Sequence, residues 1–417
     1  MNPRYLWLVA VLCGTLRAEV TLQAYGEIPA SAKDSLGDTI GGLGSAVAYD
    51  AKTDCVYMMP DRGAGDGTID FRPRCHRIKI TRDPKDPARL VWHIEETILF
   101  RDKNGRTFTG LLADNAQMPT RGGRRCLDTE AIAVAPDGTL YVSDEYRPAL
   151  LQFDRSGKLL REIPMPAWYQ PLSPSGTSQY LTKSRLLSGR EENQGAEALG
   201  ILPDGKRAVL IFQSALTQDG GRRAGTSRIL VLDLRTGEPV AEYGYAFGPV
   251  EAKLKDLSVN DLAVVNAHTF LVLERDGLGR DGPLDHSLAR YKSVWLVDTR
   301  SATNLLKVRG QPYDQSPAKP AFKPLSRDAD VKFASKTQLF NLPDLVSQLH
   351  IPVGDLAAKW EGIALLPPKS KREFHLLMTA DNDFLNPTPT FNGVTTKFRR
   401  AQDAVPTQFF EILATRP

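Results

Sequence analysis

One pattern recurs along this chain and restricts its fold more than any other feature. It consists of an acidic residue, a small residue, an apolar β-rich strand, a turn, a second strand and a polar or acidic end. The clearest copy starts at Asp128 and reads DTEAIAVAPDGTLYVSDEY. Its turn, Pro136-Asp137-Gly138, suits a tight hairpin because glycine tolerates the positive φ such turns require. A second copy, GAEALGILPDGKRAVLIFQS from Gly195, repeats the turn as Pro203-Asp204-Gly205. VNDLAVVNAHTFLVLERDG from Val259 and KWEGIALLPPKSKREFHLLMTADND from Lys359 are further copies. The first unit, GGLGSAVAYDAKTDCVYMMPDRG from Gly41, fits the same frame with Ser45 in place of the acid.

Most copies are followed by a second hairpin pattern, as in LLQFDRSGKLLREI, RILVLDLRTGEPVAEY and YKSVWLVDTRSATNLL. Two hairpins make a four-stranded antiparallel sheet, and such sheets about 65 residues apart are what propeller blades look like in sequence. The expected fold is therefore all-β, a β-propeller with five repeats detected. Longer gaps before Glu130 and Glu361 hold insertions or a divergent blade, so five or six blades are expected. The C-terminal TQFFEILAT can pair with VTLQAYG near the start, closing the ring and covering exposed strand edges. The Pro-, Lys- and Ser-rich stretch 310–327 and the Gly- and Arg-rich stretch 101–125 read as long loops, and Asp344 to Leu349 as a short helical turn.

The first residues read as a secretory signal: Arg4, an apolar run from Tyr5 to Leu12, and Ala18 before a cut at Glu19. The run falls short of the roughly 20 residues of a spanning helix. Residues 1–18 are thus a signal peptide and 19–417 a single propeller domain, exported to the periplasm or the exterior, with no membrane span after the signal is removed. With 53 Lys+Arg against 49 Asp+Glu and no basic run interleaved with aromatics, nucleic acid is excluded as a partner. Loss of Cys13 leaves Cys55, Cys75 and Cys126, which allow one disulfide and one free thiol, or three buried inert thiols.

A hairpin brings its two ends together. Glu130 should sit near Asp144 and Glu145, Glu197 near Gln213, Asp261 near Glu274, Glu361 near Asp381 and Asp383, and Ser45 near Asp61. Radial repetition gathers these groups at one end of the central channel. Carboxylates packed together need a cation or raised pKa values to coexist, which points to a Ca²⁺ site or to general acid–base chemistry. Oxygen ligands without histidine favour a hard cation over zinc. The other role open to these acids is structural, each accepting backbone N–H bonds at the start of its blade. No Gly-x-Ser-x-Gly elbow is present, and His76, His268, His286 and His375 are scattered, which argues against a serine triad.

Asp128-Thr129-Glu130-Ala131 with Ser143-Asp144-Glu145-Tyr146, Asn193 to Ala198, Glu274-Arg275-Asp276, and Trp360-Glu361-Gly362 with Asp381-Asn382-Asp383 resemble the motifs of the phytase-like, esterase-type family. The resemblance spans nearly the whole mature chain and implies a propeller that hydrolyses esters, by analogy with calcium-dependent propeller phytases. It implies catalytic roles for Glu130, Glu197, Asp261 and Glu361. It also implies a Ca²⁺ held by Glu130, Asp144, Glu197, Asp261, Glu274, Glu361 and Asp381. Arg62, Arg147, Arg190 and Arg275 are expected to meet an anionic substrate, or else to pair with neighbouring acids. The expected function is hydrolysis of phosphate or carboxylate esters, with a small-molecule ester or phosphate as the partner and the chain acting as a monomer. The alternative is a non-catalytic propeller that binds a ligand or protein and carries a structural Ca²⁺.

Overall fold

A computed structural model describes residues 18–417 apart from 116, 181–185, 249–256, 282–287, 311–324, 326–329 and 398–403. Residues 1–17, where a signal peptide is expected, His286 and most of the Pro-, Lys- and Ser-rich stretch lie outside the described residues. Five four-stranded antiparallel sheets form five blades. Blade 1 comprises Ala46–Asp50, Cys55–Met59, Arg74–Arg82 and Leu90–Leu99. Blade 2 comprises Thr129–Val134, Leu140–Asp144, Ala149–Phe153 and Leu159–Pro164, and blade 3 Ala196–Ile201, Arg207–Phe212, Thr226–Asp233 and Pro239–Ala246. Blade 4 comprises Ser258–Val264, Thr269–Arg275, Lys292–Asp298 and Ser335–Asn341. Blade 5 joins Lys359–Leu365 and Glu373–Asp381 to the C-terminal Thr407–Thr415 and the N-terminal Val20–Ile28.

The expected closure is present, with Val20 opposite Ala414 and Ile28 opposite Thr407. The blade count is five. The long gaps in the repeat are insertions: loops after blade 1 that carry a small hairpin, Thr120–Arg121 with Arg124–Arg125, and short 3₁₀ turns around blade 4. The turn expected at Asp344 to Leu349 is two of these, Leu342–Asp344 and Val346–Leu349. Cys55, Cys75 and Cys126 are buried free thiols, so no disulfide supplements the packing among the described residues.

Period-2 alternation explains why the ring holds together. In blade 3, Ala208, Leu210, Leu230 and Leu232 face the core shared with blade 2, while Val209, Ile211, Ile229 and Val231 face the core shared with blade 4. Every other neighbouring pair of blades likewise shares an apolar core. Stacked rings reinforce two of them, Phe100 on Phe153 between blades 1 and 2 and Trp360 on Phe410 within blade 5. Burying each such side chain stabilises the fold by about 1.5–3 kcal/mol. The first strands of the blades touch one another in ring order, which makes them the lining of the central channel.

Candidate functional site

Four of the five inner strands slip register by one residue near the same level. The slips fall between Thr129 and Ile132, Ala196 and Ala198, Val259 and Asp261, and Trp360 and Gly362. A bulge leaves a residue without a cross-strand partner and re-aims its side chain. The residues released in this way are Glu130 with Ala131, Glu197, Asn260 and Glu361. The inner strand pair of blade 1 has no bulge, and the Ser45 hydroxyl just before it donates to Gly42 O at 3.0 Å.

Glu130, Glu197 and Glu361 line one polar cavity of about 250 Å³, together with Asp61, Arg62, Asn193, Gln213, Arg275, Lys359 and Asp383. Two carboxylate trios flank it, Asp61–Asp381–Asp383 and Asp128–Glu130–Glu145, each with ligand atoms within 4.8 Å of one another. Basic side chains offset much of this charge. Lys359 Nζ donates to Asp383 Oδ1 at 2.5 Å and lies 3.5 Å from Asp381. Arg62 lies 3.1 Å from Asp128 Oδ2, Arg275 donates to Glu361, and Tyr146 lies 5.5 Å beneath the Arg62 guanidinium. Among the described residues, no ion pair joins Glu130 or Glu197 to a basic side chain. Gly195 places Glu145 at the site: its N–H donates to Glu145 Oε1, and a Cβ there would meet Glu145 Cγ at 2.4 Å.

Burial, then the charges of Glu197 and Asp128, holds the Glu130 carboxyl well above its usual range. Glu197 is raised in the same way by burial and by Glu145 and Glu361. Asp61 is pushed up to about 7 by burial, which outweighs Lys359, and Asp128 to about 7 by burial, which outweighs Arg62. Lys359 remains charged despite burial because Asp383, Glu361 and Asp381 surround it.

Strand-end pairing holds as expected, with Thr129 opposite Asp144, Val259 opposite Glu274 and Lys359 opposite Asp381, yet the side chains diverge. Glu130, Glu197, Glu361, Arg62 and Arg275 meet in the cavity, with Asp381 in the trio beside it. Asp144 instead accepts the N–H groups of Asp128 and Tyr146 at 3.2 Å and pairs with Arg125 at 3.0 Å. Asp261 accepts from Leu262 N at 2.8 Å and Ile363 N at 2.9 Å. Glu274 is buried among the Tyr245 and Tyr291 hydroxyls and Lys336 Nζ. Arg147 lies 3.4 Å from Glu162, away from the cavity. Arg190 donates to the carbonyls of Tyr146 and Tyr180 at 2.7 and 2.8 Å.

Sequence reasoning placed the blade 4 group one residue late: Asn260, not Asp261, is the bulged residue. Aligning the copies by acidity picked Asp261, whose carboxylate accepts the N–H groups of Leu262 and Ile363. It also gave no role to Lys359 and Asp128, although each lies two residues before a cavity glutamate and so on the same strand face.

A ring of five blades around an acidic cavity that Arg62, Arg275 and Lys359 also line defines a β-propeller with a central polar site. The chain belongs to the phytase-like family described as "Esterase-like activity of phytase", whose model matches residues 38–384. An "Uncharacterized secreted protein" of Arthroderma benhamiae is 28% identical, with 92% of this chain and 90% of that one covered. A protein from Lactobacillus plantarum overlaps at a TM-score of 0.33 and 12% identity, over 89% of each chain. A luciferin-regenerating enzyme overlaps at 0.35 and 10% identity, over 96% of this chain and 95% of that one. Overlaps this loose carry no argument. No helix among the described residues is long and apolar enough to cross a membrane.

Proposed function

We propose that this chain is an exported, Ca²⁺-dependent hydrolase of phosphate or carboxylate esters that works at the central cavity. The observation that carries the reading is the pair Glu130 and Glu197. Both are buried on adjacent inner strands, released by bulges into one cavity, and joined to no basic side chain by an ion pair among the described residues. Two such carboxylates are stabilised by a shared proton or a cation, and an all-oxygen donor set suits Ca²⁺. Glu130 and Glu197 would hold the ion, with Asp61, Asp128 and Glu145 behind them. When bound it would offset their charge and polarise a phosphoryl or carbonyl oxygen. Arg275, oriented by Glu361, faces the cavity as a donor to that oxygen, and Glu130 or Glu197 would accept a proton from attacking water. Export fits the signal pattern and the description of the Arthroderma benhamiae relative as secreted.

A binding propeller with a structural Ca²⁺ is the second reading. It is favoured by Arg62, Arg275 and Lys359 all being paired with acids, and by Asp144 and Asp261 holding backbone. Turnover of aryl phosphates and aryl esters with Ca²⁺ or chelator separates the two. Hydrolysis that needs Ca²⁺ and disappears in Glu197→Gln supports the enzyme. Ca²⁺ binding without turnover of any ester supports the second reading.

A further inference from the structure

The inner hairpin of blade 5 opens at Lys359 and Asp381, beside the central cavity, and turns after Leu365, while that of blade 1 turns between Asp50 and Cys55. Between these two turns, at the far end of the blades from the central cavity, lies another of about 340 Å³. Its floor is one end of the apolar core shared by blades 1 and 5: Val56, Leu90 and Leu377 are buried there, and Ile80 and Leu366 partly so. One wall is basic. Glu411 accepts from Arg82 Nε at 2.9 Å and from Lys369 Nζ at 2.9 Å, and His375 Nε2 lies 2.7 Å from it. The other lining carboxylate, Asp54, is already held by Lys79 Nζ at 2.6 Å and by the Tyr49 hydroxyl at 2.7 Å.

On that wall Arg82 and Lys369 share the single carboxylate of Glu411, which leaves one positive charge in surplus before His375 is counted. Lys369 gives one of its three N–H groups to Glu411 and, among the described residues, has no acceptor for the other two. A cavity of this size suits a small molecule. An aliphatic floor beside one surplus positive charge matches a hydrocarbon tail that ends in a single negative charge. A phosphate monoester carries nearly two charges near neutral pH, and a bare inorganic anion has nothing to lay on the floor. We propose that this cavity is a binding site for an aliphatic monocarboxylate, separate from the central site. It stands independently of the hydrolase reading, because the two cavities share no lining residue.

The test is binding of octanoate to the full mature chain, by calorimetry and saturation-transfer NMR, with chelator present at about pH 7.5 and about 0.15 M salt. Acetate, octanol and octylammonium are the comparison ligands. Lys369→Met removes the surplus charge at an exposed position, Lys369→Arg keeps it, and Thr81→Trp fills the cavity from an exposed position in its lining. Octanoate is expected to bind about 10-fold or more tighter than acetate or octylammonium. Lys369→Met should weaken octanoate about 10-fold while leaving octanol within about twofold, and Lys369→Arg should hold octanoate within about threefold. Thr81→Trp should weaken octanoate and octanol alike, by about 10-fold. Octylammonium binding as tightly as octanoate, octanoate binding untouched by Lys369→Met or by Thr81→Trp, or no binding of octanoate at all would each overturn the inference.

Discussion

Asp261 Oδ2 accepts the backbone N–H of Ile363 at 2.9 Å, tying the inner strand of blade 4 to that of blade 5. Its other oxygen accepts from Leu262 N at 2.8 Å. One residue earlier, Asn260 occupies the bulge that carries glutamate in blades 2, 3 and 5. The channel thus contains two kinds of acid at almost the same level, one that fastens blades and one that faces a cavity.

Asp261→Ala is expected to act on stability alone. It leaves two buried N–H groups without an acceptor, at about 1–3 kcal/mol each. Urea unfolding should show the loss, and Ca²⁺ affinity should stay within about twofold of wild type.

Glu130→Gln and Glu197→Gln are expected to do the reverse. Each removes one of two mutually repelling buried carboxylates, so the thermal midpoint in chelator should equal or exceed that of wild type. The rise on adding Ca²⁺, worth about 2.7 kcal/mol in wild type at a hundredfold excess over the dissociation constant, should largely vanish. Differential scanning calorimetry of both forms checks this.

The chelated protein should become more stable as pH falls from 8 towards 6.5. Asp61 and Asp128 carry folded pKa values of about 7, above their ordinary 3.8, so the fold retains protons that the unfolded chain releases. That stabilisation is complete below the unfolded value and is lost as pH rises through about 7. His76 acts in the opposite sense: burial, then Arg74, depresses it to about 3, so below 6.5 the unfolded chain takes up a proton the fold refuses. Between pH 8 and 6.5 the two carboxyls outweigh the one imidazole, which is only half protonated in the unfolded chain at 6.5, so melting curves at pH 6.5, 7.25 and 8 should show the gain, and Ca²⁺ should stabilise more at pH 8.

Deleting Val20–Ile28 should abolish cooperative unfolding of the ring. That strand completes blade 5, and without it Thr407–Thr415 becomes an exposed edge beside Phe409 and Phe410. Far-UV dichroism melts and size-exclusion profiles of the truncated chain report the outcome.

Much of this architecture was legible in the sequence. The Asp-Gly turns at 137–138 and 204–205 set the hairpins, and alternation in strands such as RAVLIF set which core each side chain joins. Glu130, Glu197 and Glu361 could be picked out because each opens a copy of the repeat. The roles of Asp144 and Glu274 could not be, because they depend on what each side chain meets after folding. Asp144 meets Arg125, and Glu274 meets Lys336, which comes from an outer strand 62 residues away. Nor could the pairing of Lys359 with Asp383, whose residue takes φ of 48° just beyond its strand.

The most direct measurement is calorimetric titration of Ca²⁺ into the mature chain and into Glu130→Gln/Glu197→Gln, with aryl-ester and aryl-phosphate turnover followed on the same samples. The account predicts Ca²⁺ binding and Ca²⁺-dependent turnover in wild type, with affinity at least about 10-fold weaker in the double variant and turnover absent. Equal Ca²⁺ binding by both proteins, or none by either, would contradict it.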